Sequence, residues 1–232
     1  MGGYFVLAQT LTIGMIGVAV FTVAVVTGQT LGGLLWDRLG LGPGGRRRIT
    51  MMRCLGALLT VCAVMWAVSP QLTVGDRGLA WLLLVLLPFS GGFLQAAQQA
   101  LNGRQSAAYG SAVPGAFFNF VSGSAVLLVT WVSVSLVQGG LSVPQLSTTW
   151  WHYLGGPAGV VFIVLGALLV TRVGVLLAAM GMIAGQLIGS LLLDLVAPAP
   201  GSLVTTATVL GTGLTLVAVV IASLPDMRRA GR

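Results

Sequence analysis

The chain has no lysine and no glutamate, a single histidine and two cysteines, and only 11 bases and 4 acids among 232 residues. A soluble domain carries about a quarter charged residues. At 6% charged and 56% apolar, there is too little polar surface to coat a globule in water. That excludes a soluble enzyme or a nucleic-acid reader and implies a membrane protein whose first partner is the lipid bilayer. One His, no Glu and two Cys leave neither a metal cluster nor a nucleophile with its base, so no enzyme activity, metal or cofactor is expected. Cys54 and Cys62 are eight residues apart in one apolar run. On a helix that is roughly 12 Å, too far for a disulfide, and they read as packing residues.

What is present is apolar sequence in long runs. Stretches of about 20 apolar residues, enough to cross a bilayer, fall near 17–36, 50–69, 79–101, 113–137, 150–170, 173–196 and 203–224, with a shorter eighth at about 2–13. Turns rich in Gly and Pro join them, as at 40–45 and 198–201. The start MGGYFVLAQT has no basic stretch and no small-residue cleavage pattern, so no secretory signal peptide is expected.

All eleven bases are Arg, and their placement tests the segmentation, because such residues collect on cytoplasmic loops. Loop 37–49 holds Arg38, Arg46, Arg47 and Arg48; 102–112 holds Arg104; 171–172 holds Arg172; the tail holds Arg228, Arg229 and Arg232. Loops 138–149 and 197–202 hold none, and Arg77 is neutralised beside Asp76. This alternation predicts a multi-pass protein with both termini cytoplasmic. It also explains Arg46 to Arg48 by topology and anionic lipid, without nucleic acid. Gly40-x-Gly42-x-x-Gly45 contains Pro43 and follows a membrane span, which disqualifies it as a dinucleotide-binding loop.

The most informative feature is an internal repeat. Gly28-Gln29-Thr30-Leu31-Gly32-Gly33-Leu34-Leu35-Trp36-Asp37 and Gly185-Gln186-Leu187-Ile188-Gly189-Ser190-Leu191-Leu192-Leu193-Asp194 both read G-Q-x-x-G-x-L-L-x-D. The register extends to Ile16-Gly17 against Val173-Gly174 and to Leu55-Gly56 against Leu210-Gly211. Four spans separate the copies, so equivalent helices cross in opposite directions. Inverted repeats are a common way to build secondary transporters. The expected fold is therefore an all-α polytopic membrane bundle of about seven full spans and one partial one, in two inverted five-helix repeats. Residues 1–69 form a partial first repeat of its last three helices, the first of them short, and 79–225 form a complete second repeat. On this reading the chain is a shortened form of a ten-helix protein.

Several stretches together resemble the YdcZ-like inner-membrane exporters of the bacterial drug/metabolite transporter superfamily. They are Asn102-Gly103-Arg104, Phe118-Asn119-Phe120 with Gly123, Trp150-Trp151 with Gly155-Gly156, and the G-Q-x-x-G-x-L-L-x-D segment. The resemblance covers 79–224 and part of 2–68. It implies two inverted five-helix halves around a central cavity, a bacterial inner-membrane location and export of a small molecule.

Gln29 and Gln186 fall near mid-membrane, where an unpaired amide costs a few kcal/mol. They either line a substrate path or tie helices together. Pro88, Ser90, Gly91 and Gly92 interrupt a span and can unwind to present free carbonyls to a substrate, or they form a static kink. Gln95, Gln98, Gln99 and Asn102 form either a cavity mouth or a hydrated helix end, and Asn119 is placed on the path with them. Asp37 and Asp194 are candidates for gating or ion coupling; alternatively they are solvated or paired with a neighbour such as Arg38. Gly28, Gly32, Gly181, Gly185 and Gly189 have the small-xxx-small spacing of close helix packing. His152 sits beside interfacial tryptophans. No carboxylate lies mid-span, so the buried acid by which small multidrug transporters exchange protons is missing. Two functions remain open. One is a transporter moving a small metabolite or drug-like solute by alternating access. The other is a non-transporting subunit or scaffold completed by a partner chain or, as a homo-oligomer, by a second copy.

Overall fold

The computed structural model describes residues 1–69, 79–137, 139–140, 147–196 and 206–230; the side chains at 13, 14, 17–20, 67, 68, 79–83, 151, 152, 190, 193, 194, 208 and 225–230 lie outside that description. The expectations for Asp194, His152, loops 70–78 and 197–202 and the C-terminal arginines therefore fall outside the described residues. The described chain is helical throughout: α1 (Gly2–Leu39), α2 (Met51–Val68), α3 (Leu79–Tyr109), α4 (Val113–Val137), α5 (Gly155–Val173), α6 (Val175–Val196) and α7 (Thr206–Ala230), with a 3-10 turn at Trp150–Tyr153.

α1 keeps helical backbone over 38 residues, where the sequence predicts a short segment at 2–13 and a separate span at 17–36. It is not straight. The rings of Phe5 and Phe21 lie 6.0 Å apart, whereas the sixteen residues between those positions would span about 24 Å of straight helix. The helix therefore doubles back between Phe5 and Phe21. Its contacts with α3 follow the same path. Gly2 lies beside Gln98 and Phe5 beside Gly91, then Gly28 lies against Phe89 and Gly32 against Phe93 and Ala96. The first arm descends α3 and the second climbs it.

Small residues allow this closeness. A Cβ on Gly28 would fall onto the carbonyl oxygen of Phe89, and one on Gly92 onto that of Val25. Lipid supplies no hydrophobic drive between helices, so such backbone approach is what holds them. α2 lies along α7, where Ala57, Ala218 and Ala222 meet Leu176, Leu177 and Met180 of α6. α3, α5 and α6 meet at Ala96, Ala100, Val170, Val175 and Ala178.

The outside is apolar. α4 exposes Val121, Leu128, Val129 and Leu136, and α5 exposes Val161 and Leu165. These two helices, of 25 and 19 residues, are long and apolar enough to cross a membrane, and shorter apolar stretches occupy α2, α6 and α7. In water such a surface would drive association; in a bilayer it faces acyl chains. Cys54 and Cys62 lie on this exterior, because α2 turns Gly56, Thr60, Ala63 and Val64 inward instead. They are not the packing residues that the sequence suggests.

Pro88 corrects a second expectation. α3 runs helically through 88–92, with no unwound segment. Free carbonyls have no water to bind at membrane depth, and the Ser90 hydroxyl donates back to the Leu87 carbonyl at 2.8 Å.

Candidate functional site

The amides predicted from the sequence converge on a row of cavities. Gln95, Gln98, Gln99, Asn102 and Gln105 follow i, i+3, i+4, i+7 and i+10 spacing, which places them on one face of α3. Opposite that face, a cavity of about 450 Å³ is walled by the first arm of α1, by α4 through Asn119 and Phe120, and by α5 through Gly159 and Phe162. A second cavity of about 300 Å³ shares Phe5, Gln95 and Phe162 with the first and continues to Gln9, Gln29 and Gln186. A third, of about 240 Å³, shares Gln98 and Asn119 and reaches Asn102 and Gln105.

The amides are partly satisfied by one another. Gln29 Nε2 donates to Gln95 Oε1, bridging α1 and α3. Gln98 Nε2 donates to Asn119 Oδ1 at 2.9 Å, and Asn119 Nδ2 donates to Asn102 Oδ1 and to the Gly115 carbonyl at 2.9 Å. Gln99 turns its Nε2 to the Met182 sulfur at 3.7 Å. A Cβ on Gly166 would lie 2.8 Å from Gln99 Oε1, so glycine there makes room for this amide. Gln99 Oε1 and Asn102 Nδ2 remain without a partner, although both residues are only 3% exposed. Buried polar atoms are seldom left so.

At one end of the bundle, Asp37 ties three helices. α1 closes through Gly40, whose left-handed φ of 75° lets the Leu41 N–H reach the Trp36 carbonyl at 2.9 Å. Asp37 thus sits in the last turn. Gly174, at φ 89°, separates α5 from α6 and leaves the first α6 amides free. Asp37 takes them: Val175 N–H donates to Oδ1 at 2.8 Å and Leu176 N–H to Oδ2 at 3.2 Å. Arg53 of α2 completes the group with Nη1 3.0 Å from Oδ2, and both side chains are buried. The partner is Arg53, not the adjacent Arg38. Arg47 covers the same junction and donates to the Arg172 carbonyl at 3.4 Å, while Gly103 at the end of α3 lies against Pro43. The loop after α1, the end of α3 and the α5–α6 junction therefore share one basic end.

The remaining candidates divide. Gln29 is buried and Gln186 is exposed, yet both line the 300 Å³ cavity. Ser90 Oγ hydrogen-bonds with the Tyr4 hydroxyl at 2.7 Å. Pro88 is buried in α3, Gly91 abuts Phe5, and Gly92 and Gly28 serve the α1–α3 crossing. Gly32 joins that crossing, while among the described residues a Cβ on Gly185 or Gly189 would meet nothing within 4 Å and one on Gly181 would meet Leu169. Gln9, Gln105 and the aromatics Phe5, Phe120 and Phe162 were not among the sequence candidates. The helical spacing of the α3 amides was the available signal for Gln105, and Phe120 lies in the Phe118-Asn119-Phe120 stretch; Phe5 and Phe162 carry none, being ordinary membrane residues.

No curated protein matches this chain. The sequence model of the family described as "Putative inner membrane exporter, YdcZ" matches residues 1–66 and 83–221, most of the chain on both sides of a short gap, and the chain belongs to that family of inner-membrane exporters.

Proposed function

We propose that this chain is a multi-pass inner-membrane transporter that exports a small solute by alternating access between inverted repeats and performs no covalent chemistry. The observation that carries this reading is the row of amide-lined cavities running between the helices. The repeat fits it. Gln29 and Gln186, equivalent positions of the two copies, line one cavity, as a site on a pseudo-twofold axis requires. From the second arm of α1 to α6 is five crossings, an odd number, so the copies are antiparallel. The division into a partial unit 1–69 and a full one 79–225 rests on the G-Q-x-x-G-x-L-L-x-D repeat. The distribution of Arg favours a cytoplasmic basic end, and on this reading the C-terminus lies with it. Because α1 doubles back, the N-terminus falls there too.

The test has two parts. Reporter fusions should place 40–48 and 197–202 on opposite faces; the same face for both removes the inversion. Proteoliposomes loaded with a bacterial metabolite extract should lose specific solutes faster than empty liposomes, with Gln186→Ala slowing the loss. Equal retention in both removes transport.

A second reading has its own observation. Gly28 and Gly32 are packed against α3, whereas no described residue lies within 4 Å of a Cβ at their repeat equivalents Gly185 and Gly189, beside the exposed Gln186. A polar amide facing lipid is costly, so on this reading a further helix covers it, and the chain is a subunit or scaffold completed by a partner chain or second copy. Cysteine cross-linking from Gly185→Cys in native membranes, with the exposed Cys54 and Cys62 replaced by Ala, distinguishes the two, since a helix seated on that stripe then gives a species heavier than the monomer.

A further inference from the structure

Two chambers that share a wall offer different chemistry. The 300 Å³ and 450 Å³ cavities meet at Phe5, Gln95 and Phe162. In the larger one the amides bond chiefly to one another, Gln98 donating to Asn119 and Asn119 to Asn102, and the Gln99 oxygen is enclosed. The rest of its wall is apolar, with Val6, Phe120, Leu127 and Ile163. The smaller chamber keeps polar groups open. Gln29 and Gln95 bond to each other, whereas Gln9 and Gln186, both exposed, line it without a hydrogen bond to any described residue. A carboxamide presents a donor and an acceptor together, and so do the hydroxyls and amides of a ligand. A polar head brought to this depth leaves its water behind, and open carboxamides replace the hydrogen bonds that it loses.

The larger chamber is open to lipid. Val6 and Leu127 belong to its wall and are 42% and 36% exposed, which in a bilayer means contact with acyl chains. α4 and α5 touch where a Cβ on Gly159 would lie 3.2 Å from the Phe120 ring, but one on Gly123, Gly155 or Gly156 would meet no described residue within 4 Å. The two helices therefore part beside the cavity. Acyl chains are as apolar as this lining, so a hydrocarbon tail passes between bilayer and cavity with little gain or loss. The polar chamber then decides what stays.

We propose that the two chambers together bind a single-chain amphipath drawn from the bilayer, with a head rich in hydroxyl or amide groups at Gln9 and Gln186 and its chain in the 450 Å³ cavity beside α4 and α5. This rests on the substrate path of the preceding section and adds the ligand's chemical class and its side of entry.

The experiment is equilibrium binding to the full chain in lipid nanodiscs, with binding to empty nanodiscs of the same lipid subtracted. The probes are 1-decanoylglycerol, methyl decanoate and glycerol. The first should bind saturably. Methyl decanoate, which keeps the chain and the ester but has no hydroxyl, and glycerol, which has no chain, should each bind at least tenfold more weakly. Gln9→Leu and Gln186→Leu should each weaken 1-decanoylglycerol severalfold, and Gly123→Leu, which fills the larger chamber where there is room for a side chain, at least tenfold. If a variant does not fold, the three probes read the head and the chain on the unaltered protein. Absence of saturable binding, equal binding of methyl decanoate or glycerol, or undiminished binding in folded Gln9→Leu or Gly123→Leu overturns the proposal. Flux in proteoliposomes separates it from the transport reading. Movement of a solute from the metabolite extract without saturable 1-decanoylglycerol binding sinks the ligand class and keeps transport, whereas hydroxyl-dependent binding without any flux sinks transport and keeps the ligand class.

Discussion

Asp37 and Arg53 form a buried ion pair 3.0 Å long, and the same carboxylate caps α6 through two backbone amides contributed 138 and 139 residues further along the chain. A carboxylate at a helix N-terminus is favoured by the exposed amides and the helix dipole, and a buried charge is tolerated only when so compensated. Asp37→Asn keeps the shape but removes the charge that faces the buried Arg53 guanidinium at 3.0 Å. The expected cost is about 3–5 kcal/mol, read as a fall in the thermal midpoint of the detergent-solubilised protein. Arg38→Gln, on the exposed side of the same turn, should cost less than about 0.5 kcal/mol. The double variant Asp37→Asn with Arg53→Met should recover part of the loss. Similar midpoints for Asp37→Asn and Arg38→Gln would mean that the capping group is not what holds α6.

The two glycine stripes should respond differently to the same substitution. Gly28→Ala places a methyl on the Phe89 carbonyl and must push α1 from α3, at an expected cost of about 1–3 kcal/mol. Gly185→Ala adds a methyl where no described residue lies within 4 Å and should be neutral in the isolated chain. Comparing thermal midpoints of the two purified variants checks this. A large loss at Gly185 in native membranes, but not after purification, would point to a helix that covers the stripe.

The row of amides on α3 was legible in the sequence because it leaves a local mark, a helical spacing. What was not legible depends on distant contacts. Asp37 adjoins Arg38 in sequence, and nothing local says that Arg53, a turn and a loop away, reaches the carboxylate first, or that α6 offers it two amides. Pro88 reads as a break because proline lacks its N–H, yet the apolar surroundings and the Ser90 hydroxyl keep α3 helical. The glycine spacing in α6 equals that in the second arm of α1, but spacing alone does not reveal whether a helix is there to pack against it.

Gln29 and Gln95 bond across the α1–α3 interface on the wall of the cavity. Replacing one partner leaves the other unsatisfied, at about 1–3 kcal/mol. Replacing both by Leu removes the unmet group and should recover part of the stability. Gln29→Leu should therefore destabilise more than the double variant Gln29→Leu with Gln95→Leu. Solute loss from proteoliposomes should be slow in both, because both remove polar wall. If the double variant transports normally, the pair acts only as a tie between helices.

Binding should be insensitive to pH. Among the described residues no Asp, Glu, His, Lys or Arg side chain lines the three cavities, so between about pH 5 and about pH 7, where histidine and perturbed carboxylates would titrate, the described walls hold a constant charge. The affinity for an uncharged probe such as 1-decanoylglycerol should then change less than about twofold across that window, in contrast to a carrier that binds through a buried acid and releases its ligand on protonation. Titration calorimetry at several pH values, in buffers of different ionisation enthalpy, measures this directly. The observed heat should not depend on the buffer, since no proton is taken up or released on binding. A steep pH dependence, or heat that tracks the buffer, would require an ionisable group in the binding step, and Asp37 and Asp194 would be the first residues to substitute.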